Sequence, residues 1–266
     1  MSAMLEPHRC KIAKRVIEVF EFFTDETPTA TVGDIVRRYG YPQSSTSELL
    51  GTLAEMGWLY KDPLTRSYSP TPRVATLGRA VQPEILRDGR IDRFINGLAQ
   101  STRQAVALFG MVGTHVQIFR WVAGAEMNHR DIDTGASELL STSSAGHLLM
   151  STLGAGNARK LLWRLHAEAR HEEKFDYAEL SDRVIRVGAQ RCATGPAGFL
   201  GGITATSVLL PCRLNERPLA LGVIYSDTAN IDSSALIATL THGVAQCVAP
   251  GGGDGASSAA PLMRVV

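Results

Sequence analysis

The sequence predicts an α+β chain in two parts, a winged helix–turn–helix followed by a domain built on an antiparallel sheet. Three observations carry this. Residues 31–71, TVGDIVRRYGYPQSSTSELLGTLAEMGWLYKDPLTRSYSPT, hold two helical periods joined at a glycine and then two short strand-like runs. The second half alternates β-rich runs with short amphipathic helices, the pattern of helices packed on an antiparallel sheet. A length of 266 residues points to about two domains at ~150 residues each.

Residues 11–23 read as an amphipathic helix with Ile12, Val16, Ile17, Phe20 and Phe23 on one face. Thr31 and Asp34 have capping-box spacing, so a helix starts there with Val32, Ile35, Val36 and Tyr39 on its apolar side. Gly40 supplies the positive φ that ends it, and Pro42 suits the first turn of the next helix. That second helix turns Leu49, Leu50, Leu53 and Met56 inward and Gln43, Ser44, Ser45 and Ser47 outward. Gly57 stops it. Trp58 to Tyr60 and Arg66 to Ser69 read as two strands around an Asp62–Pro63 turn, with Lys61, Thr65 and Arg66 near the tip. Small polar residues on an exposed helix start, beside a basic wing, are the chemistry that contacts phosphates and base edges.

Residues 72–100 read as helix again, interrupted at Pro83 and at Asp88-Gly89, where a linker between domains falls. Beyond it, AVALFGMVG and THVQIFRWVAG are strand-like, 143–153, 156–170 and 178–190 helical. TATSVLLPCRL and PLALGVIYS form two more strands turning at residues 215–217, and Ser233 caps a last helix carrying Leu236, Ile237, Leu240, Val244 and Val248. ATGPAGFLGG, 193–202, reads as a glycine-rich loop, and 250–266 as a disordered Gly/Ser/Ala/Pro tail.

At the helix–turn–helix the chain resembles the IclR family of bacterial transcription regulators. GYPQSSTSELLGTLAEMGWL (40–59) is similar, without a gap, to that family's "GLPKSTVHRLLATLVEHGYV", and KIAKRVIEVFEFF to its first helix. GASELLSTSSAGHLLMSTL (135–153) is similar to its "G..lPLhatAsGkalLA" stretch, and SVLLPCRLNERPLALGVIYS (207–226) to its "iAaPVfd..g.vvaAlsvs" strand pair. The resemblance spans about residues 9–248. It implies a DNA-binding domain at 9–72, a linker helix at 73–89 and a GAF-like effector-binding domain at 90–249. It also implies binding to a double-stranded operator as a homodimer or a dimer of dimers. The apolar positions Val74, Leu77, Val81 and Ile85 are the ones available in the sequence to pair two copies.

Taken together, these readings put DNA contact on Gln43, Ser44, Ser45, Ser47, Arg37, Arg38, Lys61 and Arg66. The resemblance places a small-molecule effector between 141–146 and the strand pair, lined by Met127, Thr142, Ser143, Ser144, Ala145, Gly146, Ser207, Val223 and Tyr225. Exposed N–H groups at a helix start there suit a carboxylate. The family often has acidic residues before its "iAaPV" strand, and 193–202 has none. That departure points from small oxo-acids toward an aromatic or more apolar acid, with Phe199, Tyr225 and Met127 nearby.

Composition sets bounds. Hydrophobic content of 44% and charged content of 20% fit a globular chain with a sizeable core. There is no 18-residue apolar run and MSAMLEPHRCKIAKR has no apolar h-region, so neither a membrane span nor a signal peptide is expected and a cytoplasmic location is. Cys10, Cys192, Cys212 and Cys247 lack metal-site spacing. No metal or cofactor is expected, no G-x-S-x-G or H-E-x-x-H motif suggests an enzyme, and the histidines read as surface or cap residues. Charge argues the other way on DNA. Ten Lys/Arg face nine Asp/Glu over residues 1–80, and Glu48 stands where the family usually has Arg. Pairing of Glu48 with Arg37 or Arg38 is the expectation. The competing reading is a GAF-like sensor or enzyme whose helix–turn–helix serves protein interaction.

Overall fold

A computed structural model describes residues 11–24, 26–79, 83–127, 132–170, 174–211 and 217–248. The chain packs as two units, the first ending at Gln82 and the second beginning at Pro83.

In the first unit, α1 (Lys11–Glu21) precedes the two helices of the motif, α2 (Val32–Tyr39) and α3 (Gln43–Glu55). The capping box is present at α2. Thr31 Oγ1 accepts from the Asp34 amide, and the Asp34 carboxylate accepts from the Thr31 amide at 2.7 Å. These bonds satisfy two amides that the helix itself leaves open. Gly40 closes α2 in the left-handed region at φ 69°, which an L side chain enters at a cost of ~1–2 kcal/mol. The wing is β1 (Leu59–Lys61) against β2 (Tyr68–Pro70), with Ala30 bridged to Tyr68. Asp62 Oδ1 caps the tip by accepting from the Leu64 and Thr65 amides. Arg66 sits beyond it at φ 56°. The core is Val19, Ile35, Leu50, Leu53, Leu59 and Tyr68. Two inward assignments fail. One is Met56, 55% exposed at the end of α3; the other is the pair Ile12 and Ile17, exposed because α1 rolls so that Val16, Val19, Phe20 and the following Phe23 face the core. A short helix α4 (Arg73–Arg79) follows.

The second unit opens with α5 (Glu84–Arg87) and α6 (Arg90–Thr102). Its sheet comprises β3 (Ala105–Val112), β4 (His115–Val122), β5 (Ser137–Leu139), β6 (Cys192–Pro196), β7 (Ile203–Leu209) and β8 (Leu219–Ser226). The strand order is β5-β4-β3-β8-β7-β6, with antiparallel pairing throughout. Strand side chains alternate between faces. Ala105, Ala107 and Phe109 of β3, Ala205 of β7 and Ile224 of β8 lie on one face. There they pack against α7 (Ser144–Met150), α8 (Ala155–Glu168) and α9 (Tyr177–Gln190). Val106, Leu108, Leu221, Val223 and Tyr225 lie on the other face, against α6 and α10 (Ser233–Val248). Helix α10 is capped one residue earlier than expected, since Asp232 Oδ1 accepts from the amides of Ser234 and Ala235. Strands β5 and β6 were not anticipated: 192–196 is an edge strand, and only 197–202 is loop. The tail 250–266, Asn215 and Glu216 of the expected turn, Cys10 and Cys212 lie outside the described residues.

Candidate functional site

The first turn of α3 presents Gln43, Ser44 and Ser47 to solvent, with Ser45 half-buried beside them and Thr46 turned into the core. Thr46 Oγ1 donates to the Pro42 carbonyl at 2.9 Å, which locks the helix start with no side-chain cap from Pro42. The polar residues of that turn are therefore free of structural duty, apart from Ser45. Its Oγ accepts from Arg15 of α1 at 3.2 Å. The Arg15 guanidinium also lies over the Tyr41 ring, 4.2 Å from its centre, and the Tyr41 hydroxyl donates to the Glu18 carboxylate. Burial, then that bond and the Glu18 charge, push the Tyr41 hydroxyl up to about 12, so it stays a donor. Sequence reading missed Arg15. The signal was available, a basic residue one helical turn before Glu18, but its approach to α3 depends on how α1 crosses the motif.

Arg37 is engaged by Asp34, whose carboxyl the Thr31 side chain and amide, and then Arg37, hold below its ordinary range. Arg38 lies over the Tyr39 ring at 5.9 Å. Glu48 is exposed, and among the described residues it has no ion-pair partner. The expected pairing with Arg37 or Arg38 is thus absent, because Asp34 is three residues from Arg37 on the same helix face and takes that cation first. On the wing, Lys61 lies over the Tyr68 ring at 5.5 Å and Arg66 is exposed. Arg73 stacks over Trp58 at 4.3 Å and donates to the Met56 carbonyl at 2.6 Å, which ties the wing base to the end of α3.

In the second unit the nine expected effector residues do not share a wall. Ser143, Ser144, Ala145, Gly146, Ser207 and Met127 are buried, and Thr142 is exposed just before α7. Ser143 caps α7 by accepting from the Gly146 amide at 3.5 Å. Ser144 Oγ donates to the carbonyl oxygens of Ala205, at 3.1 Å, and Gly195, at 3.3 Å. The helix start is packed against the sheet rather than open to a ligand. Val223 and Tyr225 are a correction: they lie on the α6/α10 face, opposite α7. The physical reason is strand parity, since a one-residue offset moves a side chain through the sheet. Tyr225 spends its hydroxyl on Thr206 Oγ1 at 2.9 Å, which in turn meets Thr194 Oγ1 at 3.0 Å. On the α7 face Ser207 pairs with Gly222, which lacks the side chain that would collide with the Ser207 hydroxyl. That hydroxyl is buried without a partner among the described residues. Phe199 of the 197–202 loop stacks on Phe109, with ring centres 6.3 Å apart and planes at 18°.

His147 departs from the surface role expected of it. It is 4% exposed, and its Nε2 is 2.8 Å from the Ser141 carbonyl. Burial pulls its pKa down and the charge of Arg183 adds to that, against the Ser141 bond, which raises it. Cys192 is half-buried, and burial pushes its thiol up, which makes a poor nucleophile. Among the described residues no group of acidic, His and Cys side chains could hold a metal ion, and no helix is long and apolar enough to cross a membrane.

A capped first helix, a polar exposed start on the second and a basic two-stranded wing define a winged helix–turn–helix, the arrangement used by DNA-binding regulators. Residues 13–63 match the IclR helix-turn-helix domain. The fold is similar to that of an IclR transcriptional regulator from Alicyclobacillus acidocaldarius, at 18% identity over 91% of this chain and 99% of that one, with a TM-score of 0.58. It is also similar to an IclR homolog from Microbacterium hydrocarbonoxydans complexed with 4-hydroxybenzoate, at 16% identity over 89% and 97% of the two chains, with a TM-score of 0.56. The effector domain of the regulator IclR from Acinetobacter sp. ADP1 matches 62% of this chain and 98% of its own length at 20% identity, with a TM-score of 0.55. No curated protein matches the sequence. The helix–turn–helix domain is thus of the IclR type, and the fold of the whole chain is similar to that of IclR-family regulators.

Proposed function

We propose that this regulator binds an operator as a dimer through α3 and the wing, and that a small organic acid taken up by the second unit alters that binding. The reader is residues 9–72, the linker 73–89 and the effector domain 90–249. The observation that carries the DNA reading is the exposed first turn of α3, where Gln43, Ser44 and Ser47 make no side-chain hydrogen bond among the described residues. Arg15 joins Lys61 and Arg66 as a phosphate contact, since it brings a cation to the helix start that the nearly neutral domain otherwise lacks. Titrating affinity for random duplex DNA against salt tests this. A steep linear fall of log affinity with log salt, about 0.9 per phosphate neutralised, is expected. A flat response favours the protein-interaction reading, which the exposed carboxylate of Glu48 supports.

One helix–turn–helix reads few base pairs, so two-fold pairing supplies the remaining affinity. Of the positions placed for pairing, Leu77 on α4 is 63% exposed, while Ile85 packs against the core of the second unit and is not available. Val81 lies outside the described residues. Light scattering should show a dimer or larger, and Leu77→Glu should shift it toward monomer; a wild-type monomer at micromolar concentration removes the pairing. An acid as effector is supported by the 4-hydroxybenzoate bound in the Microbacterium homolog and by the lack of a carboxylate in 193–202. An effector acts only through a difference in affinity for two states of the protein.

A further inference from the structure

Strand β6 ends the sheet, and a cavity of about 430 Å³ wraps around that open edge. Ser144, His147 and Val187 line it from the α7/α9 side, and Cys192, Thr194 and Ile237 from the α10 side. Arg183 and Arg186 of α9 also line it, and no carboxylate does. They are three residues apart and so project from neighbouring points of one helix face. Arg183 donates to Glu179, one turn earlier on the same helix, at 2.5 Å. Arg186 is exposed and has no ion-pair partner among the described residues. A carbonyl can only accept, so the His147 nitrogen facing Ser141 carries the proton, and the neutral ring adds no charge. The charged groups of the lining are therefore two guanidinium cations beside an apolar floor of Val187, Pro196 and Ile237.

We propose that this cavity binds a small amphiphilic acid, its carboxylate between Arg183 and Arg186 and its apolar body along Val187, Pro196 and Ile237. The proposal rests on the reading of the second unit as an effector domain and moves the acid from the start of α7 to the sheet edge. The polar groups at the start of α7 are already used, since Ser143 caps the helix and the Ser144 hydroxyl donates to the Ala205 and Gly195 carbonyls. The edge cavity has the size of small-ligand pockets. Guanidinium groups match the planar geometry of a carboxylate, and two of them bind it more tightly than a single helix end does.

Titration calorimetry on the full chain at low salt, with benzoate and inorganic phosphate as separate probes, tests this. Benzoate should bind saturably, one per chain, and more tightly than phosphate. The double variant Arg183→Gln/Arg186→Gln should weaken benzoate about tenfold or more, with unchanged circular dichroism. Arg164→Gln, which removes an exposed cation of α8 paired with Glu168, should leave binding intact. No saturable heat at millimolar benzoate, equal affinity for phosphate, or wild-type affinity in the double variant overturns the proposal. Duplex DNA binding measured on the same samples keeps the two readings apart. DNA binding without benzoate binding removes the cavity alone, and benzoate binding without DNA binding removes the regulator alone.

Discussion

The Arg15 guanidinium sits 4.2 Å from the centre of the Tyr41 ring. The ring holds the cation in place while its Nη1 donates to Ser45 at the start of α3. A charge on the first helix is thereby delivered to the helix proposed to read DNA. Tyr41 is fixed in turn by its bond to Glu18, one turn along α1 from Arg15.

Arg15→Ala should weaken binding to all duplex sequences alike and reduce the salt slope by about one. Loss of the cation–π contact should cost about 0.5–1 kcal/mol of stability. Filter binding across a salt series together with thermal unfolding measures both. An unchanged slope means that Arg15 is structural only.

The double variant Ser44→Glu/Ser47→Glu should abolish operator binding and leave the fold intact, because both residues are exposed and neither side chain is hydrogen-bonded among the described residues. Two carboxylates against phosphate oppose the field that binding needs. Retained operator affinity in a mobility-shift assay would move the reading surface off α3.

Stability should fall as pH drops below about 6.5. His147 has a folded pKa depressed from 6.5, chiefly by burial. Below 6.5 the unfolded chain takes up a proton that the folded chain refuses, so the unfolded state binds more protons and stability rises with pH. The loss grows until pH passes the folded value. His147→Gln should flatten this slope between about pH 5 and 7, and urea midpoints at several pH values read it. An identical slope in the variant would assign the acid lability to another group.

Gly146→Ala should destabilise the second unit by about 1–3 kcal/mol. A Cβ there would lie 2.8 Å from Leu140 Cα and still closer to the Leu140 carbonyl oxygen, backbone atoms that cannot swing aside. Urea denaturation with an unchanged midpoint would show that the segment before α7 yields freely.

The helix–turn–helix was legible because its signals are local. The Thr31–Asp34 box, the left-handed Gly40 and the Asp62 turn each act within a few residues, and all three are present in the structure. The helices of the second unit, and strands β3, β4, β7 and β8, were legible from their periodicity for the same reason. Edge strand β6 was not, because Cys192–Pro196 carries Gly and Pro and becomes a strand only by pairing with β7. The face of α1 was misread because Ile12 and Ile17 fit the helical period as well as Val19 does, and only the crossing of α1 over the motif chooses between them.

The sequence by itself determined the order of elements in the helix–turn–helix and the polar turn offered by α3, since capping, turns and hydrophobic period are properties of neighbours along the chain. Tertiary structure alone decided which face of the sheet each residue took, because register sets parity, and it sent Val223 and Tyr225 away from α7. It also brought Arg15 to Ser45 and gathered His147, Arg183, Arg186 and Ile237 round the end of the sheet. His147 stands on α7, the two arginines on α9 and Ile237 on α10, far apart in the chain, and no local preference records that packing will make them neighbours.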